Sequence, residues 1–233
     1  MKKQETVIHV GLSKTGTTFL QNFVFPRLNV NFVNGFSIFD KLDKDKLNLI
    51  SDETFSNDCL LNNCDNRLIV ADRLHSLFPN AKVMIVLRER KTFINSMYSE
   101  YIKFGGIKSK KQWIDDCENV NPDAFNFKKY VDHLEKLFKK GVLVLDFALL
   151  KEDYVKFVIK ICKFIDVDIP KLDNKRVNVR LGEKTLQHWR IMNMLFKSSV
   201  SSGGLFPRFC SPLFWYKEFF SLRFSKGKEL IRK

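Results

Sequence analysis

Residues 7–21 read VIHVGLSKTGTTFLQ. An apolar strand pattern runs into Gly11, a turn carries Ser13, Lys14 and Thr15, Gly16 closes it, and Thr17 and Thr18 open a helix. Glycines at both ends free the backbone to curl around an oxyanion, and the helix aims its unpaired N–H groups and positive dipole end at it. A nucleoside-triphosphate loop reads G-x-x-x-x-G-K-[ST]. Gly11 and Gly16 keep that spacing, but Thr17 stands where the lysine should be, and the lysine is Lys14, inside the loop. A lysine after the second glycine reaches β/γ-phosphates. A lysine within the loop suits a shorter anion, two units long and ending near the turn.

The rest of the chain alternates strand and helix patterns, which predicts α/β architecture: a central parallel sheet between two helical layers. Strands are expected over residues 6–10, 82–87 (KVMIVL, the clearest) and 142–146 (VLVLD). Helices are expected over 17–25, 66–78, 92–104, 127–140, 153–165 and 183–197, with glycine or proline stops after most of them. Residues 30–63 read as irregular. The 233 residues suffice for one domain, with residues 200–233 as a possible aromatic and basic appendage. Twenty-three phenylalanines point to a core built on that side chain.

The loop HVGLSKTGTTFLQ resembles the 5′-phosphosulfate loop of sulfotransferases, which use 3′-phosphoadenosine-5′-phosphosulfate (PAPS). The lysine two before the second glycine and the threonine pair after it carry the resemblance. Phe19 stands where many members have tryptophan. The resemblance implies a P-loop-like fold and a cofactor site of Gly11, Ser13, Lys14, Thr15, Gly16, Thr17 and Thr18. PAPS also carries a 3′-phosphate, which needs a second cationic site. In VMIVLRERKTFINSMYSEYIKFGG, Arg88 follows the central strand and Ser96 comes eight residues later. That spacing lets a guanidinium fork and a hydroxyl converge on one phosphate, and it matches the family's 3′-phosphate pair. The plainer readings are a solvated strand-end arginine and an ordinary helical serine. MYSEYIKFGG is similar to a bacterial branch that modifies surface carbohydrates.

The resemblance implies in-line sulfuryl transfer to a hydroxyl of a carbohydrate or glycolipid. Lys14 would stabilise the bridging oxygen as adenosine 3′,5′-bisphosphate leaves, and no metal is expected. The acceptor needs a general base. Glu53, in LISDETFS, and His75, in ADRLHSLFP, compete for it, with Asp52 as a further candidate. Their plainer readings are a helix-start carboxylate and a packed helical histidine. His9, His133 and His188 read as packing or surface residues. Arg180, Lys184 and Arg190 read as helix-surface charge. Asp146 reads as a hydrogen-bonding strand end; a kinase or NTPase would instead use it to hold magnesium.

The formal charge of +14 favours anionic partners, such as a nucleotide, a nucleic acid, an acidic glycan or an anionic lipid surface, over a merely basic surface. The five cysteines form no C-x-x-C pair, which fits reduced thiols and a cytoplasmic protein. No run of 18 apolar residues occurs, so no membrane span is expected. The C-terminal SPLFWYKEFFSLRFSKGKELIRK mixes aromatic and basic residues and could touch the inner face of a membrane. Nucleic acid is not expected as a partner. The competing readings are a P-loop kinase and a basic, non-enzymatic membrane- or nucleic-acid-binding module.

Overall fold

The computed structural model describes residues 5–35, 41–56, 67–171 and 183–195. Five strands form one all-parallel sheet: β1 (Thr6–Val10), β2 (Asn31–Asn34), β3 (Asn48–Asp52), β4 (Lys82–Leu87) and β5 (Val142–Asp146), in the order β2-β3-β1-β4-β5. The sheet is of the α/β kind expected. β1 is buried along its whole length because it has neighbours on both sides and is covered on both faces. Val10 lies in register with Asp52 on one side and Ile85 on the other, and Leu87 with Asp146. The carboxyl ends of β1, β3, β4 and β5 therefore reach the same edge of the sheet. After β1 the chain passes to the edge strand β2 and returns inward to β3 beside β1, then crosses to β4 and β5 on the other side. In open α/β sheets, the crevice at such a reversal is where ligands bind.

Side chains alternate across a strand. Val7, Leu49, Met84, Val86 and Leu145 share one face, packed with Leu20, Val24 and Phe25 and with Phe157, Val158 and Ile161 of the helix Tyr154–Ile165. Their neighbours Ile8, Ile50, Val83 and Ile85 are equally buried on the other face. The helices Arg67–Leu77 and Lys128–Leu137 pack together there, burying Ala71, Leu74, Tyr130 and Leu134. Phe25, Phe55, Phe93, Phe138 and Phe157 are fully enclosed, within a core whose other buried residues are mostly valine, leucine and isoleucine. Truncating any one of them to alanine costs about 3–5 kcal/mol.

In helical order, α1 (Thr17–Phe19) continues as a π-turn (Leu20–Val24) and a 3-10 turn (Phe25–Arg27), with Pro26 in the last. Then come α2 (Arg67–Leu77), α3 (Arg90–Lys103), α4 (Lys110–Val120), α5 (Lys128–Leu137), α6 (Phe147–Glu152), α7 (Tyr154–Ile165) and α8 (Glu183–Leu195). Two strands differ from expectation: β2 and β3 fall within the stretch read as irregular. NLISD begins with Asn48, a poor strand residue. Its amide is buried but satisfied: Oδ1 accepts from Asn31 Nδ2 at 2.7 Å and Asp43 N at 2.9 Å, and Nδ2 donates to Asp43 O at 2.8 Å. Long-range bonding of this kind overrides local propensity. Helices α4 and α6 also lie in stretches without a helical expectation.

The chain divides into two compact units, residues 1–97 with 116–178, and 98–115 with 179–233. The first holds the sheet. In the second, Tyr98, Tyr101 and Trp113 form a ring cluster, and Ile102, Leu186 and Trp189 pack together. Asn193 Nδ2 donates to the carbonyl oxygens of Ile102 and Gly106 at 2.8 and 3.0 Å. Cys117 and Cys162 are buried free thiols. Cys59, Cys64, Cys210, Arg180 and the 200–233 appendage lie outside the described residues. No described helix is long and apolar enough to cross a membrane.

Candidate functional site

The loop between β1 and α1 is fixed at both ends by its neighbours. Gly11 N donates to Asp52 O at 3.1 Å, and a Cβ at Gly11 would stand 2.8 Å from Thr17 Cγ2. Gly16 has φ 92°, and a Cβ there would meet Leu150 Cδ2 at 2.6 Å. Both glycines are thus demanded by space, and Gly16 also by its left-handed backbone. Lys14 too is left-handed, at φ 62°. For a residue with a side chain that conformation costs roughly 1–2 kcal/mol, so the surroundings must hold it.

The threonines divide into two kinds. Thr15 and Thr17 are buried, and both hydroxyls donate to Leu12 O, at 2.7 and 3.1 Å. They close the curl from inside. Thr18 is exposed at the helix start, and Ser13, Lys14 and Gly16 are half-buried. The first N–H groups of a helix have no acceptor within it; the first helical bond here is Leu20 N to Gly16 O at 3.0 Å.

Arg88, directly after β4, reaches the loop. Its Nη1 donates to Lys14 O at 2.9 Å, its Nε donates to Thr92 Oγ1 at 3.3 Å, and its guanidinium carbon lies 4.8 Å from the centre of the Phe147 ring. Phe147 opens α6 after β5 and also carries Lys151 Nζ at 4.9 Å. Glu89 caps α3: its carboxylate accepts from the main-chain N–H of Thr92 and Lys91, at 2.8 and 2.9 Å. Those two bonds hold its pKa below the ordinary carboxylate value. The cap sets the direction in which α3 leaves the site. Ser96 is half-buried one turn beyond Thr92, on the same helix face. The structure brings Arg88 to Thr92, with Ser96 the next hydroxyl along. Beside Arg88 opens a cleft of about 510 Å³, bounded also by Leu87, Arg90, Phe125, Asn126 and Lys128. Its rim cations are ion-paired, Arg90 with Glu118 at 2.6 Å and Lys128 with Asp132 at 2.8 Å.

At the exit of β3, Asp52 Oδ1 accepts from Thr54 N at 2.7 Å and Thr54 Oγ1 at 2.6 Å, forming the turn Glu53–Ser56. Ser56 Oγ lies 3.1 Å from Gly11 O and 2.9 Å from Glu53 O, tying this turn to the loop. Glu53 is exposed on the same edge of the sheet as the loop. His75 is elsewhere. It sits in the last turn of α2, edge-on to Phe138 at 5.4 Å, before the starts of β4 and β5. A strand rises about 3.3 Å per residue, so the six residues of β4 separate that edge from Arg88.

Asp146 Oδ1 accepts from Ala148 N at 2.8 Å and caps α6, as a strand-end hydrogen-bonding residue does. His133 Nε2 bonds Asp72 Oδ1 at 2.8 Å on the surface. His9 is fully buried. Its Nδ1 lies 2.8 Å from Ser51 Oγ, its ring meets Phe25 edge-on, and desolvation lowers its pKa to about 3. The imidazole is therefore neutral at physiological pH. Thr92, Phe147, Gln21 and Ser51 escape the sequence reading. Phe147 directly follows the strand pattern 142–146, which was the available signal, whereas Ser51 lies in the stretch read as irregular. Thr92 and Gln21 carry none beyond their helical positions.

The family model described as a sulfotransferase domain matches residues 4–219. No curated protein matches. Among solved structures, the sulfotransferase from Alicyclobacillus acidocaldarius is similar at 17% identity and a TM-score of 0.51, over 81% of this chain and 90% of that one. Mouse sulfotransferase SULT7A1 complexed with PAP is similar at 13% identity and a TM-score of 0.48, over 91% and 75% respectively. The match over nearly the whole sequence, on a parallel sheet whose first strand feeds a lysine-bearing glycine loop, makes this chain a member of the sulfotransferase domain family.

Proposed function

We propose that this sulfotransferase moves the sulfuryl group of PAPS to a hydroxyl of a carbohydrate or glycolipid. One observation carries the reading. The lysine of the glycine loop is held in a left-handed turn by the arginine that leaves the central strand, at the crevice where the sheet reverses. Two cations thus stand at two points of one edge, as a nucleotide with phosphates at both its 5′ and 3′ ends requires.

The loop amides and Thr18 bind the 5′-phosphate, and Arg88 with Thr92 and Ser96 binds the 3′-phosphate. Each charge-assisted hydrogen bond contributes roughly 1.5–3 kcal/mol. The acceptor oxygen attacks sulfur in line, the bond from sulfur to the bridging oxygen breaks, and adenosine 3′,5′-bisphosphate leaves. Lys14 stabilises the charge that grows on the bridging oxygen. The acceptor's proton passes to Glu53. Glu53 is favoured over Asp52 because Asp52 Oδ1 is committed to Thr54, and over His75 because His75 lies at the opposite edge of the sheet. The family needs no metal for this step, because PAPS presents no γ-phosphate to neutralise. The protein works in the cytoplasm, and its basic, aromatic C-terminal sequence brings it to the inner face of a membrane where lipid-linked acceptors lie. Nucleic acid is not a partner.

The test is transfer of radiolabelled sulfate from PAPS to cell-envelope extracts, with and without EDTA. Label in a carbohydrate or glycolipid fraction in both conditions supports the reading. Label confined to protein or to small phenols, or no label, overturns the acceptor.

A further inference from the structure

Behind the loop lies a buried polar chain that the transfer chemistry does not use. His9 is in β1, two residues before Gly11, and pairs in register with Ser51 of β3, two residues before Glu53. Gln21 is in the π-turn that continues the loop's helix. Gln21 Nε2 donates to Ser51 Oγ at 3.0 Å, and Ser51 Oγ lies 2.8 Å from His9 Nδ1. His9 and Ser51 are both fully buried. In either tautomer of the neutral ring, Nε2 is a buried polar atom with no partner among the described residues.

For stability alone this arrangement is poor. The rest of β1 after Thr6 is apolar, and an apolar side chain at position 9 would leave no polar atom unsatisfied. What the chain does instead is geometric. It joins the strand that enters the loop, the strand that delivers Glu53, and the widened turn that sets the direction of the helix behind Thr17 and Thr18. π-turns place one extra residue in a helical turn and recur at functional sites. Here the extra residue lets a helix start aimed at an anion carry Gln21 inward to the sheet.

We propose that Gln21, Ser51 and His9 are positioning residues for the donor, which fix the phosphosulfate loop relative to the exit of β3. The inference rests on the nucleotide reading above. The measurement is calorimetric binding of adenosine 3′,5′-bisphosphate to the full chain, well below each variant's melting temperature. Gln21→Met and Ser51→Ala are expected to weaken binding about tenfold, because small misplacements of a prearranged site are costly. Ser51→Thr, which keeps the hydroxyl, should restore most of the affinity. His9→Leu should weaken binding while holding or raising the melting temperature, a split that a purely structural role does not produce. The Gln21→Met/Ser51→Ala double variant should bind no worse than the weaker single, as members of one network do. Wild-type affinity in Gln21→Met and Ser51→Ala overturns the proposal and leaves the nucleotide reading standing. Absence of binding in the wild-type protein overturns both. Gln21 is only half-buried, so Gln21→Met keeps the test open should Ser51→Ala or His9→Leu fail to fold.

Discussion

The guanidinium of Arg88 donates from Nη1 to the main-chain oxygen of Lys14 at 2.9 Å, across 74 residues of sequence. The left-handed turn at Lys14 is thereby braced from another strand of the sheet. In the function proposed above, the arginine assigned to the nucleotide's far phosphate thus also shapes the loop assigned to its near one. Loss of Arg88 therefore has two effects. Arg88→Ala should weaken PAPS far more than a donor lacking the 3′-phosphate, and it should also lower kcat with the latter donor. Arg88→Lys should recover little, since lysine cannot bond Lys14 O and Thr92 together while lying on Phe147. Steady-state kinetics with both donors checks this. Equal loss of affinity for both donors would contradict a 3′-phosphate role.

Lys14→Ala should remove the stabilisation of the leaving oxygen, costing about 10²–10³ in kcat by comparison with single electrostatic groups in other active sites. The melting temperature should hardly change, because the Lys14 contact made by Arg88 is to the main chain. Turnover and thermal unfolding, measured on the same sample, separate the two.

Gly16→Ala faces a positive φ and the Leu150 side chain together. It should cost at least about 1–2 kcal/mol of stability and abolish nucleotide binding. Adding Leu150→Ala should relieve the collision but not the backbone strain, so binding should return only in part. Denaturant melts of the single and double variants report this.

Glu53→Gln should lower kcat by about 10²–10⁴, the range for loss of a general base, with affinity for adenosine 3′,5′-bisphosphate unchanged. His75→Ala should leave kcat near wild type, since the ring is packed on Phe138 at the other edge of the sheet. Full turnover in Glu53→Gln would remove it from the mechanism.

His9 gives a pH signature. Its pKa is lowered from 6.5 to about 3 by burial, so the unfolded chain binds a proton there that the folded one refuses. Refusing that proton costs the folded state nothing above pH 6.5, and stability falls progressively as pH drops from there towards 3. The slope for one proton is about 1.4 kcal/mol per pH unit. Unfolding free energies between pH 6.5 and 4.5 should fall more steeply for the wild-type protein than for His9→Leu. Parallel curves would contradict the burial of this imidazole.

The loop, the central strand and its arginine were legible because each joins a strong local pattern to a fixed spacing. β4 is six apolar-rich residues bounded by charge, and Gly11 and Gly16 have no room for a side chain. What escaped was decided by distant parts of the chain. β3 is a strand because Asn48 finds partners on Asn31 and Asp43. Thr15 and Thr17 look alike to Thr18 in sequence, yet their hydroxyls turn inward to Leu12. The bond from Arg88 to Lys14 has no local signal at all, since each residue's pattern is complete without it.

Titration calorimetry in EDTA, comparing adenosine 3′,5′-bisphosphate with adenosine 5′-monophosphate, tests the two-point grip most directly. The bisphosphate is expected to bind at least about tenfold tighter in the wild-type protein, and Arg88→Ala should erase that advantage. Equal affinity for the two nucleotides, or a preference for magnesium-ATP over the bisphosphate, would contradict it.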